Sequence, residues 1–395
     1  MVQKNKIYFD HAATTPIDPE VLRAMLPYMK ENFGNASSLH TFGQDAVNGV
    51  DRSRDALALF FGSSAQEVIF TSGASEADNL AIIGIIKASK LEKPHIITSN
   101  IEHPAVLEVC KNLEKEGKAE ISYAKVDKKG LVSVEAIKKL FKDNTVLVTV
   151  MYVNNEIGTI QPIRDIGKMI EKENEKRKNN KIYFHTDAVQ GANYLTCNAD
   201  YLHVDMISLS GHKIYGPKGI GALYVRRGTP IKAFQYGGHQ EYGLRPGTLN
   251  VPAIVGFGKA VELLGDKKHK KDNEKIKKLR DTLWHKIEEK KLNAVLNGDE
   301  EQRVPSNLNV SFKNIEGESA LLMLDMEGFA VSTGSACASG SLLASHVLLA
   351  LDLSHLDAHG SLRITLGKYN TEKDIDDFVK VIPKIVSKLR KIASQ

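Results

Sequence analysis

The chain has 395 residues, a formal net charge of +5 at pH 7 and 42% hydrophobic residues. These values are ordinary for a globular protein of one large or two medium domains, and the modest charge argues against nucleic-acid binding. No stretch approaches the ~18 apolar residues that a membrane span needs, and the first ten residues lack the apolar run of a signal peptide.

The predicted elements alternate between strand and helix from about residue 15 to about residue 260. The predicted strands are Val68–Thr71, His95–Ser99, Ile121–Val126, Thr145–Val153, Ile182–Thr186, Met206–Leu209 and Ile220–Val225. Helical periodicity lies between most of them, in Glu76–Ser89, Pro104–Glu116, Val134–Lys142 and Ile163–Lys176. This alternation predicts an α/β fold with a mostly parallel seven-stranded sheet that carries helices on both faces.

The pattern changes after Pro252. A predicted helix, Ala253–Leu264, leads into a lysine-rich helix whose apolar residues recur at helical spacing, which favours one solvated face. Short strands follow, and then a terminal amphipathic helix, Glu372–Ile392. We therefore predict a large domain over residues 15–260 and a smaller α+β domain over residues 1–14 and 261–395.

Lys213 has the most informative setting in the chain. It follows a buried strand and precedes a Gly-Pro-Lys-Gly turn, so its amine is delivered to a strand end. About 25 residues upstream, another apolar strand ends in Asp187. An imine-forming lysine beside an acid is what a pyridoxal 5′-phosphate site requires, because the acid pairs with the pyridine nitrogen. Considered without Asp187, Lys213 would more simply be interpreted as an exposed lysine that follows a strand.

Three further segments add polar groups at strand ends. The segment 70–76 places hydroxyls and small residues at a helix start, which suits an anion but is also an ordinary helix cap. His103 follows a strand and could move protons, although a single histidine is usually structural. Asn154 and Asn155 end a very apolar strand, where they could bind a carboxylate or form a turn.

The three cysteines, Cys110, Cys197 and Cys337, match neither a disulfide framework nor a zinc spacing, which predicts reduced thiols, no metal site and a cytoplasmic protein. Cys337 lies among small polar residues and glycines, without apolar periodicity. This setting favours a reactive thiol on a mobile loop over a core cysteine. Cys110 lies within a helical pattern and is expected in the core.

The chain resembles the cysteine desulfurases of the NifS/IscS-like family, in the class V branch of fold-type I pyridoxal phosphate enzymes. The segments that carry the resemblance run almost from end to end: Tyr8–Pro16, Thr71–Glu76, Glu102–His103, Asn154–Gly158, Asp187–Gln190, Ser210–Lys213 and Gly334–Cys337. The resemblance implies an enzyme that converts L-cysteine to L-alanine and leaves a persulfide on Cys337. The persulfide would supply iron–sulfur cluster assembly, tRNA thiolation or another thio-cofactor pathway through an acceptor protein.

The resemblance also assigns roles around the cofactor ring. Lys213 would carry the cofactor as an imine, and Asp187 would pair with the protonated pyridine nitrogen. Gln190 would donate a hydrogen bond to the ring hydroxyl oxygen. His103 would stack on the ring and assist proton transfer.

Further roles concern the phosphate. Ala74 through its backbone, Ser75, Ser210 and His212 would cradle the phosphate group. Thr248 would reach the phosphate of the partner subunit in a homodimer.

The remaining roles concern the substrate. Asn155 would contact the cofactor, and together with Arg363 it would hold the substrate carboxylate. An arginine suits that task because its guanidinium binds a carboxylate through two parallel hydrogen bonds.

Two other interpretations remain open at this point. One is a different enzyme of the same fold, such as a selenocysteine lyase or another class V aminotransferase or lyase, against which Cys337 argues. The other is a non-catalytic binding protein, against which the joint presence of Lys213, Asp187 and His103 argues.

Overall fold

The structure, a computed structural model, describes residues 6–333 and 344–393. Its strands are, in chain order, β1 (Ile7–Tyr8), β2 (Val68–Thr71), β3 (His95–Ser99), β4 (Glu120–Ala124), β5 (Thr145–Thr149), β6 (Tyr183–Asp187), β7 (Met206–Ser210), β8 (Gly221–Val225), β9 (Ala294–Leu296), β10 (Asn307–Phe312), β11 (Phe329–Ala330) and β12 (Ser361–Thr365). Its α-helices are α1 (Pro19–Lys30), α2 (Thr41–Phe61), α3 (Ala74–Ala88), α4 (Pro104–Lys115), α5 (Val134–Lys138), α6 (Ile163–Asn174), α7 (Ala199–Leu202), α8 (Val251–Leu264), α9 (Lys267–Glu289), α10 (Gly317–Met326), α11 (His346–Ala350), α12 (His355–His359) and α13 (Glu372–Ala393).

The central sheet has seven strands in the order β2-β8-β7-β6-β5-β3-β4. Only β8 runs antiparallel to its neighbours within this sheet, so the predicted mostly parallel seven-stranded α/β architecture is confirmed. Both faces are covered, because neighbouring residues such as Ile96 and Ile97 belong to different hydrophobic clusters. The near-continuous apolar runs in the sequence reflect this double burial.

The predicted strand Thr145–Val153 is four residues too long, because β5 ends at Thr149. The residues that follow are still buried and apolar, which explains the wrong prediction. Beyond Thr149 the chain keeps its hydrogen bonds to β6 through the amides of Val150 and Tyr152, but on the side of β3 the Met151 amide donates to the carboxylate of Glu102. This departure from β3 brings Asn155 to the carboxyl end of the sheet.

A second, separate hydrophobic cluster surrounds the antiparallel sheet β12-β10-β9 and includes side chains of α9, α10 and α13. It contains Phe9, Val310 and Phe378, all fully buried. This separation supports the two-domain division, which stays a prediction. In the described ranges, 6–333 and 344–393, none of the helices combines the length and the apolarity of a membrane span.

Residues 7–15 form a strap that connects the two clusters. On one side, β1 pairs in parallel with β11 through Ile7 and Phe329. On the other side, the amide of Thr15 donates to the carbonyl of His212, which follows β7. The strap therefore crosses the carboxyl end of the central sheet and approaches the residues after β7.

A buried ion pair fixes the loop before α8. Arg54 on α2 donates two hydrogen bonds to the carboxylate of Glu241, at 2.6 and 2.9 Å, and Glu241 also accepts the amide of Phe70. The two side chains are 9% and 1% exposed. Removing one charge would leave the other buried without an opposite charge.

We expect Glu241→Gln to lower the free energy of unfolding by about 3–5 kcal/mol, which is the usual cost of breaking a buried pair. Chemical denaturation at fixed protein concentration measures the change. Asp377→Asn is the matched control, because Asp377 pairs with Lys373 and Lys380 on the surface, and it should leave the free energy of unfolding nearly unchanged. Equal stabilities of the two variants would contradict the prediction.

Candidate active site

A cavity of about 670 Å³ opens beyond the carboxyl ends of β6 and β7, where ligands bind in sheets of this type. Ten of the residues proposed from the sequence line it: Ala74, Ser75, His103, Asn155, Asp187, Gln190, Ser210, His212, Lys213 and Arg363. Thr248 is exposed and is not among the lining residues. Cys337 lies outside the described residues. The cavity thus brings together groups from most of the chain.

Lys213 ends a single 3-10 turn, Gly211–Lys213, directly after β7. Its Nζ donates to two carbonyl oxygens of the strap, those of Ala12 at 2.5 Å and Ala13 at 2.7 Å. The side-chain amide of Gln190 donates to the same Ala12 oxygen at 3.0 Å. The strap therefore orients both side chains at the mouth of the cavity.

Asp187 lies at the end of β6 and is almost fully buried. Its Oδ1 accepts the Val189 amide at 2.9 Å, which fixes the carboxylate. Burial raises the pKa of Asp187 to about 6, while the Val189 hydrogen bond and the charge of Lys213 oppose the rise. Asp187 is therefore ionised at neutral pH and can hold a cationic group of a ligand.

The opposite end of the cavity suits an anion. Helix α3 begins there at Ala74, so its unpaired N-terminal amides face the cavity. Ser210 and His212 complete this end, and the Nδ1 of His212 hydrogen-bonds Thr14 at 3.1 Å. Burial, and then the charges of Lys213 and Lys218, lower the pKa of His212 to about 4, so its ring is neutral at pH 7.

His103 caps α4, and its Nδ1 accepts the amide of Ala105 at 3.1 Å. Burial, and then the charges of Lys213, His346 and Arg363, lower the pKa of His103 to about 4. The ring is therefore neutral at pH 7, and because Nδ1 accepts a hydrogen bond, the ring proton lies on Nε2.

Arg363 reaches the cavity from β12 and is 2% exposed. One Nη atom donates to the carboxylate of Asp10 at 2.9 Å and the other to the carbonyl of Asn155 at 3.2 Å. Its Nε is buried and has no hydrogen-bond partner among residues 6–333 and 344–393. Arg363 and Asn155 are thus brought together as expected, with Asp10 as an additional partner.

Four acids in or near the cavity were given no role from the sequence: Asp10, Glu76, Asp78 and Glu102. Asp78 had a detectable signal, because the helical period puts it on the same face as Ala81 and Ile82, which are buried. Asp10 had no such signal, since its partner Arg363 is 353 residues away.

Comparisons with known proteins agree with this geometry. The family model described as aminotransferase class-V matches residues 7–378. The cysteine desulfurase IscS of Dictyoglomus turgidum is 47% identical over 390 residues, which cover 99% of this chain and 97% of that protein.

Two solved structures are similar over nearly the whole chain. One, described as a NifS-like protein, has a TM-score of 0.89 and 38% identity, and covers 97% of this chain and 100% of its own. The other, described as SspA in complex with cysteine, has a TM-score of 0.80 and 36% identity, and covers 93% of this chain and 100% of its own.

Proposed function

Because the chain belongs to the class-V aminotransferase family, and within it to the cysteine desulfurases, we propose that it converts L-cysteine to L-alanine and carries the released sulfur as a persulfide on Cys337. The observation that carries the proposal is one cavity holding a lysine amine, an ionised acid, an anion site and a buried arginine. Sulfide release from L-cysteine in the presence of dithiothreitol tests it.

The cavity fits pyridoxal 5′-phosphate, on which enzymes of this family depend. The N-terminal amides of α3 with Ser75, Ser210 and His212 would hold the phosphate, and Asp187 would hold the cationic ring nitrogen. Lys213 would provide the covalent link, and Gln190 would bind the ring hydroxyl oxygen. When bound, the cofactor supplies an electron sink for the electron pair left at the substrate Cα.

The residues of the chain would transfer protons and orient the reacting groups. The Lys213 amine, once free of the cofactor, is positioned by the carbonyls of Ala12 and Ala13. We propose that it takes the proton from Cα. The ammonium formed on Lys213 can return that proton as a general acid. The neutral ring of His103 presents Nε2–H to the cavity as a hydrogen-bond donor. Asp187 stays ionised and keeps the ring nitrogen protonated.

The sulfur step is balanced without a further reactant. The Sγ of Cys337 would attack the substrate sulfur as a thiolate, so that an S–S bond forms and the Cβ–S bond breaks. A proton then replaces sulfur at Cβ, which leaves L-alanine and one persulfide. Alanine differs from cysteine by one sulfur atom, and the persulfide retains that atom.

Arg363→Lys is expected to lower kcat/KM for L-cysteine about 10- to 100-fold, because lysine cannot form the two-point contact with a carboxylate. Cysteamine is the matched probe, since it carries the amine and the thiol of cysteine without the carboxylate. Its binding, followed through the cofactor absorbance, should be the same in both proteins. A parallel loss for cysteamine would show that Arg363 acts on the cofactor and not on the substrate carboxylate.

A second copy of the chain would complete the cavity. Thr248 is exposed, and its loop is fixed to the phosphate end of the cavity by an ion pair between Arg245 and Glu76 at 3.0 Å. Large apolar side chains, including Met29 and Phe42, are exposed on α1 and α2, the two helices that pack against α8 directly after this loop. We propose a homodimer in which Thr248 of each subunit contacts the other's phosphate; sedimentation velocity measures the mass directly.

The persulfide would pass to an acceptor protein, such as an iron–sulfur scaffold or a tRNA thiolation protein. We propose that this transfer takes place in the cytoplasm, where thiols stay reduced. Mass spectrometry of candidate acceptors, mixed with protein preloaded with labelled sulfur, identifies the recipient by one added sulfur atom.

A further inference from the structure

Asp78 is a cavity residue that the proposed reaction does not use. It lies on α3, is fully buried and lines the cavity. Neither of its carboxyl oxygens has a hydrogen-bond partner of good geometry in the part of the chain that the structure describes, although the Ser208 hydroxyl is close enough to interact with the carboxyl group. Because an ionised carboxylate buried in this way is strongly destabilised, its position requires an explanation.

The neighbour of Asp78 is His185 on β6, whose Nε2 is 3.6 Å from its Oδ1. The hydrogen bonds of the imidazole connect Nδ1 to Thr149 at 2.8 Å and Nε2 to Ser208 at 2.9 Å. Burial lowers the pKa of His185 to about 3, so the ring is neutral. The contact between Asp78 and His185 is therefore not an ion pair and does not stabilise a charge on Asp78.

Two other acids interact electrostatically with Asp78: Asp187 on β6 and Glu102 before α4. Burial and the charge of Asp187 hold the pKa of Asp78 well above its usual range, Glu102 adds to this, and the Ser208 hydroxyl opposes it. Burial raises the pKa of Glu102 to about 8, although Ser99 and Met151 donate hydrogen bonds to it. Of the three acids, Asp187 is the one ionised at neutral pH, and the positive charge that acts on it is that of Lys213.

We propose that Asp78 is a positioning residue that, as a neutral carboxylic acid, keeps this end of the cavity at one negative charge and leaves that charge on Asp187. The inference rests on the proposed function, in which Asp187 binds the ring nitrogen of the cofactor. One carboxylate matches one pyridinium, whereas two ionised carboxylates in a shared site would repel each other. The neutral acid also provides a polar neighbour for the ionised Asp187 that an apolar side chain would not.

Two variants of similar size separate this role from the alternatives. Asp78→Asn keeps a neutral polar group, so its affinity for pyridoxal 5′-phosphate should be within about twofold of that of the wild type. The pH dependence of the absorbance of the bound cofactor should be unchanged. Asp78→Val removes the polar group and increases the desolvation of Asp187. The pH midpoint of that absorbance should rise by about one unit, and cofactor binding should weaken about tenfold.

Two outcomes would contradict the role proposed for Asp78. If Asp78→Asn weakened cofactor binding tenfold, Asp78 would be an ionised group that contributes charge, and the proposal would be wrong. If Asp78→Val matched wild type in both measurements, Asp78 would only fill space.

Infrared difference spectroscopy measures the protonation state of Asp78 without an activity assay. The carboxylic acid C=O band of the wild-type protein at pH 7 should lose one component in Asp78→Asn, with or without cofactor. In Asp187→Asn that component should titrate at lower pH, because the repelling charge is gone. An unchanged band would overturn the proposal. If wild type showed no cofactor absorbance, the proposed function would fail, yet the band in the cofactor-free protein would still test Asp78.

Discussion

Replacing Cys337 with serine is expected to reduce sulfide release from L-cysteine by about 10³-fold or more, because a hydroxyl is not a nucleophile toward sulfur at neutral pH and cannot hold a persulfide. The cofactor absorbance and its response to L-cysteine should persist, since the residues that bind cofactor and substrate are unchanged. Sulfide assays with dithiothreitol and intact-protein mass spectrometry measure the two effects.

The other two cysteines provide matched controls for this experiment. Cys110 and Cys197 are buried, and burial raises the pKa of each thiol to about 12, so neither forms a thiolate at neutral pH. Cys110→Ala and Cys197→Ala should therefore retain sulfide release and persulfide formation. Activity of Cys337→Ser equal to wild type would rule out the persulfide route and reopen the interpretation as another lyase of this fold.

Lys213→Ala is expected to abolish turnover, with a loss of about 10³-fold or more, because it removes both the covalent link to the cofactor and the proton carrier. The yellow absorbance of the lysine-linked cofactor should be replaced by that of the free aldehyde. Noncovalent binding should remain, since the phosphate groups and Asp187 are intact. Visible spectra before and after dialysis distinguish these states.

Chemical rescue is the control for the lysine variant. A small primary amine such as ethylamine can occupy the space of the lost side chain and reform an imine, so it should restore part of the absorbance and activity. Full activity of Lys213→Ala without added amine would refute the assignment of Lys213. An unaltered spectrum would be evidence against cofactor linkage at this residue.

Much of the central sheet could be predicted from the sequence, because its strands are short, buried on both faces and rich in β-branched residues. Val68–Thr71 and His95–Ser99 match the structure at both ends. The two-residue strands β1 and β11 were not predicted, since their pairing joins Ile7 to Phe329 and leaves no local pattern.

The candidate site was predictable where a motif follows a strand, as at Asp187 and Lys213. Contacts between distant segments were not, because neither partner is unusual in its own sequence. The pairing of Arg363 with Asp10 and the carbonyls that hold Lys213 are of this kind. Asp78 was missed for another reason: one acid in an otherwise apolar helix face is easily taken as exposed.

The strap of residues 7–15 has a consequence for the order in which the protein matures. Its residue Asp10 contacts Arg363 across 353 residues, and Ala12 contacts Thr365 across the same separation. During synthesis the strap leaves the ribosome long before β12 exists. The central sheet can form early, yet the cavity cannot close until translation is nearly finished. The proposed carboxylate-binding part of the site is thus completed late, and a released chain truncated before β12 would have Lys213 without Arg363 in the cavity.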